Sequence, residues 1–407
     1  LSAQGERARP DTGVDALYRV IEQLAGATAP ASEWERSILP ARVRNYQPFW
    51  LDELTGSGEV QWFGAGSLPH RDGWVGFVPA DQAAALLPSP TALADPTEAH
   101  NALLELFGDG VALLTRGVHA ALAGFTADVV DAALWDLVWA TSLSNDSLAV
   151  ARRRQGPRTA AARQSTRRAR SRAPRRLGRP TTADAVPGRW FRLAEPPASA
   201  TVRAHAAAGA LLDRHGVLTR GAAAAEGVPG GFAGAYRVLS AMEDAGRVQR
   251  GYFVEGLGAA QFAGSTAVDQ LRSARGGDDD QARALAATDP ANPYGAALAW
   301  PKSPASHLPG RKAGATVVID HQGLALFCER GGKSLLTWCP PDSDRARIAL
   351  GTLCGEVRAG RRTALHLLKV DAEEVHGSPW TNVLQQAGFA LTPRGLRLRP
   401  ERVRVGA

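Results

Sequence analysis

The chain has 407 residues, two or three times the usual length of a domain, which predicts several units with separate cores. Hydrophobic residues make up 44% and charged residues 21%, with 43 Gly and 26 Pro, so a collagen-like or wholly disordered chain is excluded. No apolar run approaches the roughly 18 residues of a membrane helix and no signal peptide opens the sequence, which predicts a cytoplasmic protein with no membrane partner. Leu1 stands first and Met242 is the sole Met, as expected of a piece of a longer protein. Cys328, Cys339 and Cys354 form no C-x-x-C pair, and the nine His make no H-E-x-x-H or H-x-H, so no metal site is expected.

The net charge of +7 is unevenly spread: residues 147–183 carry twelve Arg, no Lys and no acid, which leaves −5 for the rest. Between Arg152 and Arg179 these Arg mix with Pro, Gly, Ser, Thr and Ala, and the span 151–188 is predicted to be a disordered linker. Such a polycation neutralises phosphates by counterion release without reading sequence. Arg152, Arg153, Arg154, Arg167 and Arg168 are therefore candidate nucleic-acid contacts, with a merely solvated linker as the alternative. An acidic linker, 273–292, contains Asp278, Asp279 and Asp280 in a row.

In chain order, apolar residues at 14, 17, 18, 21 and 24 predict one helical face. A short segment from Ser32 to Ile38 follows, then a helix opened by Pro48 that ends by Gly56 and Gly58. Gly58 to Phe63 reads as a strand, His70 to Gly73 as a turn, and Trp74 to Val78 as its return. Helices closed by a β-hairpin predict a winged helix over 1–88. Residues 95–150 are a second copy with an abbreviated wing around Thr141 to Asp146, because Gly110-Val111-Ala112-Leu113-Leu114-Thr115-Arg116-Gly117 echoes Gly216-Val217-Leu218-Thr219-Arg220-Gly221. The third copy, 189–272, has Thr219 as a helix cap, a helix from about Phe232 to Ala245 and a wing from Val248 to Val254. From 293 to 407 short strands with Gly-rich turns predict a small β-barrel-like domain braced by helices. The fold class is thus α+β, tandem winged helices followed by a small barrel.

Three stretches, ALWDLVWATSLSND at 133–146, GVLTRGAAAAEGVPGGFAGAYRVLSAMEDAGRVQRGYFVEGLGAAQFAG at 216–264 and LAATDPANPYGAALAWP at 285–301, resemble the Lhr (large helicase-related) family of bacterial superfamily 2 helicases. LLKVDAEEVHGSPWTNVLQQAGFALTPRGLRLR at 367–399 resembles the family's C-terminal end. The resemblance implies part of the C-terminal extension of an ATP-dependent DNA-repair helicase, associated with the nucleoid. It also implies DNA or RNA:DNA hybrid and the helicase's own motor domains as partners, with a homo-oligomer as an option. ATP and Mg would belong to the motor and no cofactor to this chain, which has no GxxxxGK[ST] and no DExH box. Gly331-Gly332-Lys333-Ser334 lacks the first Gly of a P-loop and falls in a strand turn. Gly256-Leu257-Gly258 opens no helix and is no dinucleotide site.

Two functional readings follow, and they leave open whether the chain is an enzyme. In the first, a nucleic-acid-binding and assembly module, Arg220, Arg237, Arg247 and Arg250 hold phosphates and Tyr252 stacks on a base, while Trp62, Trp139 and Trp338 are core. In the second, excision of uracil or an alkylated base, the winged-helix and barrel arrangement resembles bacterial DNA glycosylases that remove alkylated or crosslinked bases and use a Gln-x-Gln or Gln-x-Asp signature. Gln261-Phe262-Ala263 supplies only the first Gln of it. A glycosylase also needs a carboxylate to stabilise positive charge on the sugar, for which Asp320 is the candidate and Asp269 a further one. The alternative for Asp320-His321-Gln322-Gly323 is an ordinary strand turn.

Overall fold

A computed structural model describes residues 12–108, 110–155, 188–194, 198–228, 230–258, 260–274, 281–303, 305 and 308–400. The chain divides into two compact units, one made of Asp11–Ser32 with Val43–Ala210, the other containing Glu33–Arg42 and Leu211–Ala407.

In the first unit, α1 (Val14–Gln23) buries Ala16, Leu17 and Ile21 along the stripe its spacing dictates. β1 (Thr28–Pro30) and α2 (Pro48–Gly56) follow, the latter with Pro in its first turn where no N–H partner is lost. β2 (Val60–Leu68) and β3 (Asp72–Pro79) form a hairpin whose tip places His70 and Arg71 at φ of 66° and 61°. A second set repeats the order: α3 (Glu98–Leu106), β4 (Ala112–Leu114), α4 (Thr115–Ala121), α5 (Ala127–Trp139) and β5 (Leu143–Asn145). Then come α6 (Ala149–Gln155) and β6 (Arg189–Arg192). α5 packs on the β2–β3 hairpin so closely that a Cβ at Gly73 would overlap the Trp139 ring. Only a glycine fits there, which explains a Gly within a packed hairpin.

α7 (Ala200–His215) leads into a third set, β7 (Val217–Leu218), α8 (Arg220–Ala225), α9 (Gly231–Asp244), β8 (Val248–Gly251), β9 (Gln261–Gly264) and α10 (Ser265–Ala274). The three small sheets run β1-β3-β2, β4-β6-β5 and β7-β9-β8, one topology three times over. The winged helix is thus the repeating unit, and the second copy differs from its expected form. Its wing is not abbreviated: β6, which the sequence suggested as the start of the next unit, pairs with both β4 and β5. A buried side chain of the strand, Trp190, explains the pairing; its ring meets Trp135 edge-on and its Nε1 donates to Thr115 Oγ1 at 2.8 Å. The Arg-rich run therefore lies between the second and third strands of one winged helix. The start of the span read as a linker is helical, since α6 extends to Gln155.

The remaining strands are β10 (Arg283–Ala286), β11 (Thr316–Asp320), β12 (Gly323–Cys328), β13 (Ser334–Thr337), β14 (Leu365–Leu367), β15 (Lys369–Val370), β16 (Glu373–Glu374), β17 (Ala390–Thr392) and β18 (Gly395–Leu398). They make a six-stranded sheet, β10-β11-β12-β13-β15-β16, and a three-stranded sheet, β14-β18-β17. No pairing joins β10 to β16, so the six described strands form an open sheet in place of the expected barrel. The outer strand β16 is two exposed glutamates, too short and too charged to extend the ladder. α11 (Asp344–Arg358), capped by Ser343, lays Ala346, Leu350, Leu353, Cys354 and Val357 on the sheet, and α12 (Trp380–Gln386) adds Trp380 and Leu384 to the same core.

β10 and the residues after it fall within the span read as an acidic linker, yet 285–292 are buried. There Asp289 receives both Nη atoms of Arg42, at 2.8 and 3.0 Å, with each side chain about 2% exposed or less. Asp289 also accepts from Ala291 N, while Arg311 donates to the carbonyls of Asn292 at 2.6 Å and Asp289 at 3.1 Å. Asn292 bonds Ala287 O through its side chain, and Tyr294 stacks on Trp300. The Thr288-Asp289-Pro290-Ala291-Asn292-Pro293-Tyr294 stretch is a buried knot that ties segment 33–42 to the sheet.

Candidate nucleic-acid interface

The third winged helix shows how its surface is built. Thr219 caps α8, accepting from Ala222 N at 3.2 Å. α9 starts from Gly230 and Gly231, both at positive φ, and turns Ala235, Leu239 and Met242 inward, so Arg237 faces solvent. Arg220 and Arg247 are exposed, and Tyr252 at the end of β8 is 79% exposed.

Arg250 is less available. Its Nη1 donates to Tyr236 Oη at 2.5 Å, its Nη2 lies 3.2 Å from a Glu243 oxygen, and its guanidinium sits 6.0 Å from the Tyr236 ring centre. Tyr236 in turn meets Phe262 of β9 edge-on. Tyr236 and Glu243, seven residues apart on α9, were not singled out from sequence; the helical spacing that sets them on the wing side was the signal. Exposed Asp244 and Glu255 share this domain, so its basic character is modest.

Gln261 is fully buried. Its Oε1 accepts from Phe253 N at 3.1 Å and Val254 N at 2.8 Å, and its Nε2 donates to Val254 O at 2.9 Å and Gly258 O at 2.7 Å. Every polar position of the amide is spent on the wing backbone, so the side chain is built to fold the wing.

Asp320 ends β11 with its side chain 6% exposed. Arg345 grips both oxygens, Nε to Oδ2 at 2.7 Å and Nη2 to Oδ1 at 3.0 Å, and Gln322 N donates to Oδ1 at 2.8 Å. That is a strand turn fastened to the first turn of α11, with its negative charge already matched. Asp269 sits on α10 beside Arg272 at 3.2 Å and both are largely exposed.

The Arg candidates of α6 are also partly committed. Arg152 Nη1 lies 2.6 Å from Asp52 Oδ2, and the Arg154 guanidinium stacks 4.7 Å over the Trp135 ring. Burial, then Arg71, depresses the Arg154 guanidinium. Arg153 is exposed, and Arg167 and Arg168 lie outside the described residues. Of the expected core tryptophans, Trp62 is fully buried, Trp139 stacks on Trp135 at 5.2 Å, and Trp338 donates its Nε1 to Lys302 O.

One ionic cluster supports α8 from beneath. Arg214 holds Glu226 bidentately at 3.0 Å, and His215 Nε2 lies 2.9 Å from the same carboxylate. Burial alone would raise the Glu226 carboxyl, but Arg214 and His215 outweigh it and hold it at about 2. A carboxyl depressed below its unfolded value contributes stability that is complete above about pH 5 and is lost as pH falls towards 2. Glu226→Gln is expected to lower the unfolding midpoint at neutral pH and to flatten its decline over that acid window, read from thermal melts at stepped pH.

These features define a tandem winged-helix protein of α+β class. Two family models, each described as "Large helicase-related protein, winged-helix domain", match residues 2–80 and 197–283. The chain is 46% identical over 410 residues to "Lhr helicase/ probable uracil glycosylase" of Mycolicibacterium smegmatis, covering 95% of this chain and 27% of that protein. It is 38% identical over 406 residues to "Lhr helicase/uracil glycosylase" of Escherichia coli, covering 94% of this chain and 26% of that one. It thus spans about a quarter of the length of the relatives it matches. The chain belongs to the large helicase-related family, as part of its C-terminal extension. Among the described residues no helix is long and apolar enough to cross a membrane.

Proposed function

We propose that the chain is a nucleic-acid-binding and assembly module of an Lhr-type DNA-repair helicase that works beside the helicase motor. One observation carries the reading: β6 pairs with β4 and β5, so the nine Arg and single acid of residues 156–187, which lie outside the described residues, come in sequence between two strands of the second winged helix, where this fold has its wing. A wing is the part of this fold that reaches along a nucleic-acid backbone, and arginines placed there meet phosphates whatever the base sequence. The partner is DNA or an RNA:DNA hybrid, the setting is the nucleoid, and the tandem domains provide surfaces for self-association.

Deleting 158–179 leaves the Arg152–Asp52 and Arg154–Trp135 pairs in place. It is expected to weaken duplex binding and to reduce the slope of log K against log salt by about 0.9 for each phosphate that is no longer neutralised. Unchanged slope in a fluorescence-anisotropy salt titration would sink the wing's role. The combined variant Arg220→Gln, Arg247→Gln, Tyr252→Ala is expected to lower the slope by about two units if the third wing also binds.

A second reading, base excision from DNA, is favoured by the names of both relatives and by a cavity of about 570 Å³ in the first unit. Asp136, His100 and Trp139 line it, with His100 Nε2 3.5 Å from the Asp136 carboxylate. Thr97 N donates to His100 Nδ1, which leaves Nε2 to carry the proton and face Asp136. Incubation with a uracil-containing strand followed by alkali tests this reading. Cleavage lost in Asp136→Asn but kept in Asp320→Asn would assign it to this cavity; the reverse would assign it to the Asp320 turn.

A further inference from the structure

We infer that the second unit holds a phosphate-binding pocket around Arg362, separate from either wing. The pocket encloses about 220 Å³ between the segment Ser37 to Ala41, strands β10 and β11, and the end of α11. That is below the roughly 300–1,000 Å³ of sites for drug-sized ligands and suits a tetrahedral oxyanion with part of what it is attached to.

Charge decides the ligand. Glu356 at the pocket wall is held by Arg361, at 2.6 and 2.9 Å. Glu33 is fully buried, pairs with Arg36 at 3.5 Å, and accepts from Gly314 N and the Ser37 hydroxyl. Arg362 reaches only the Gly314 carbonyl, at a long 3.4 Å, and among the described residues no carboxylate ion-pairs with it. Cys328, beside it, cannot supply a negative charge, because burial pushes its thiol up to about 11. Burial also depresses the Arg362 guanidinium itself, outweighing the more distant carboxylates of Glu33 and Glu356. Taken together, two acids balance two of three arginines and one positive charge is left over.

The second observation is Thr316. It is 1% exposed, it lines the pocket, and its Oγ1 has no hydrogen-bond partner. A buried hydroxyl with no partner costs about as much as a lost hydrogen bond, so an acceptor belongs there. β11 pairs Thr316 with Ala286 and Cys328, which puts its side chain on the face towards α11 and Arg362. A guanidinium fork takes two oxygens of a phosphate and a hydroxyl donates to a third. Neutral ligands would leave the surplus charge unmatched.

The probe is inorganic phosphate added to the whole chain at constant ionic strength, followed by phosphorus-31 line broadening. Saturable broadening in the millimolar range is expected, with a rise in unfolding midpoint that chloride does not reproduce. Thr316→Val keeps the shape of the side chain and is expected to weaken binding several-fold; Arg362→Gln is expected to abolish it. Absence of saturable broadening in the unaltered chain overturns the inference, as does unchanged binding in Thr316→Val or in a folded Arg362→Gln. Competition separates the sources. Displacement by a short 5′-phosphorylated oligonucleotide but not by its 5′-hydroxyl form assigns the pocket to a strand end, and displacement by neither assigns it to a small free phosphate. Deleting 158–179 leaves this titration unchanged, so failure of the binding module and failure of the pocket are told apart.

Discussion

Asp289→Ala is expected to cost about 3–5 kcal/mol, because it breaks a bidentate ion pair that is buried on both sides. Arg42 is 2% exposed and both of its Nη atoms donate to Asp289, so removal of the carboxylate takes two charge-assisted hydrogen bonds from a buried cation. The Ala291 N–H that closes the following turn loses its partner as well. Urea unfolding followed by circular dichroism reads the change, and a loss below about 1 kcal/mol would mean that the pair is not a clamp. The double variant Arg42→Met, Asp289→Leu is the informative control. With both charges replaced by apolar side chains of similar bulk, no desolvated ion remains, and most of the stability is expected to return.

Gln261→Leu is expected to cost about 2–4 kcal/mol, most of it in the wing. The leucine keeps the bulk but leaves Phe253 N, Val254 N, Val254 O and Gly258 O without partners, four backbone groups at once. Hydrogen exchange at 252–258 should accelerate while amides of α9 stay protected, since its inward face of Ala235, Leu239 and Met242 is untouched. Nucleic-acid binding by this wing is expected to fall with its order. A Gln261 that instead positioned a catalytic water would give the opposite pattern, an ordered wing that binds normally and excises nothing.

Elements whose chemistry is local were legible along the chain. Helix faces follow from 3.6-residue spacing, the α8 cap from Thr219, the wing turns from glycine, and the three winged helices from echoes such as Val111 to Gly117 with Val217 to Gly221. The family resemblance was legible for the same reason, since contiguous motifs survive in a linear string. Whatever depends on pairing across distance was settled only by folding. β6 reads as the start of a new unit because nothing local announces that Trp190 will pack near Thr115, seventy-five residues earlier. The Arg run consequently reads as a tether between domains, although in sequence it comes between two paired strands of one winged helix. Gln261 and Asp320 carry the residue types of a glycosylase, and only their partners, four backbone groups and Arg345, show that these side chains are spent on holding loops. The surplus charge at Arg362 was equally hidden. A sequence counts arginines and glutamates, but which of them neutralise one another is set by burial and distance, and those exist only once the chain has folded.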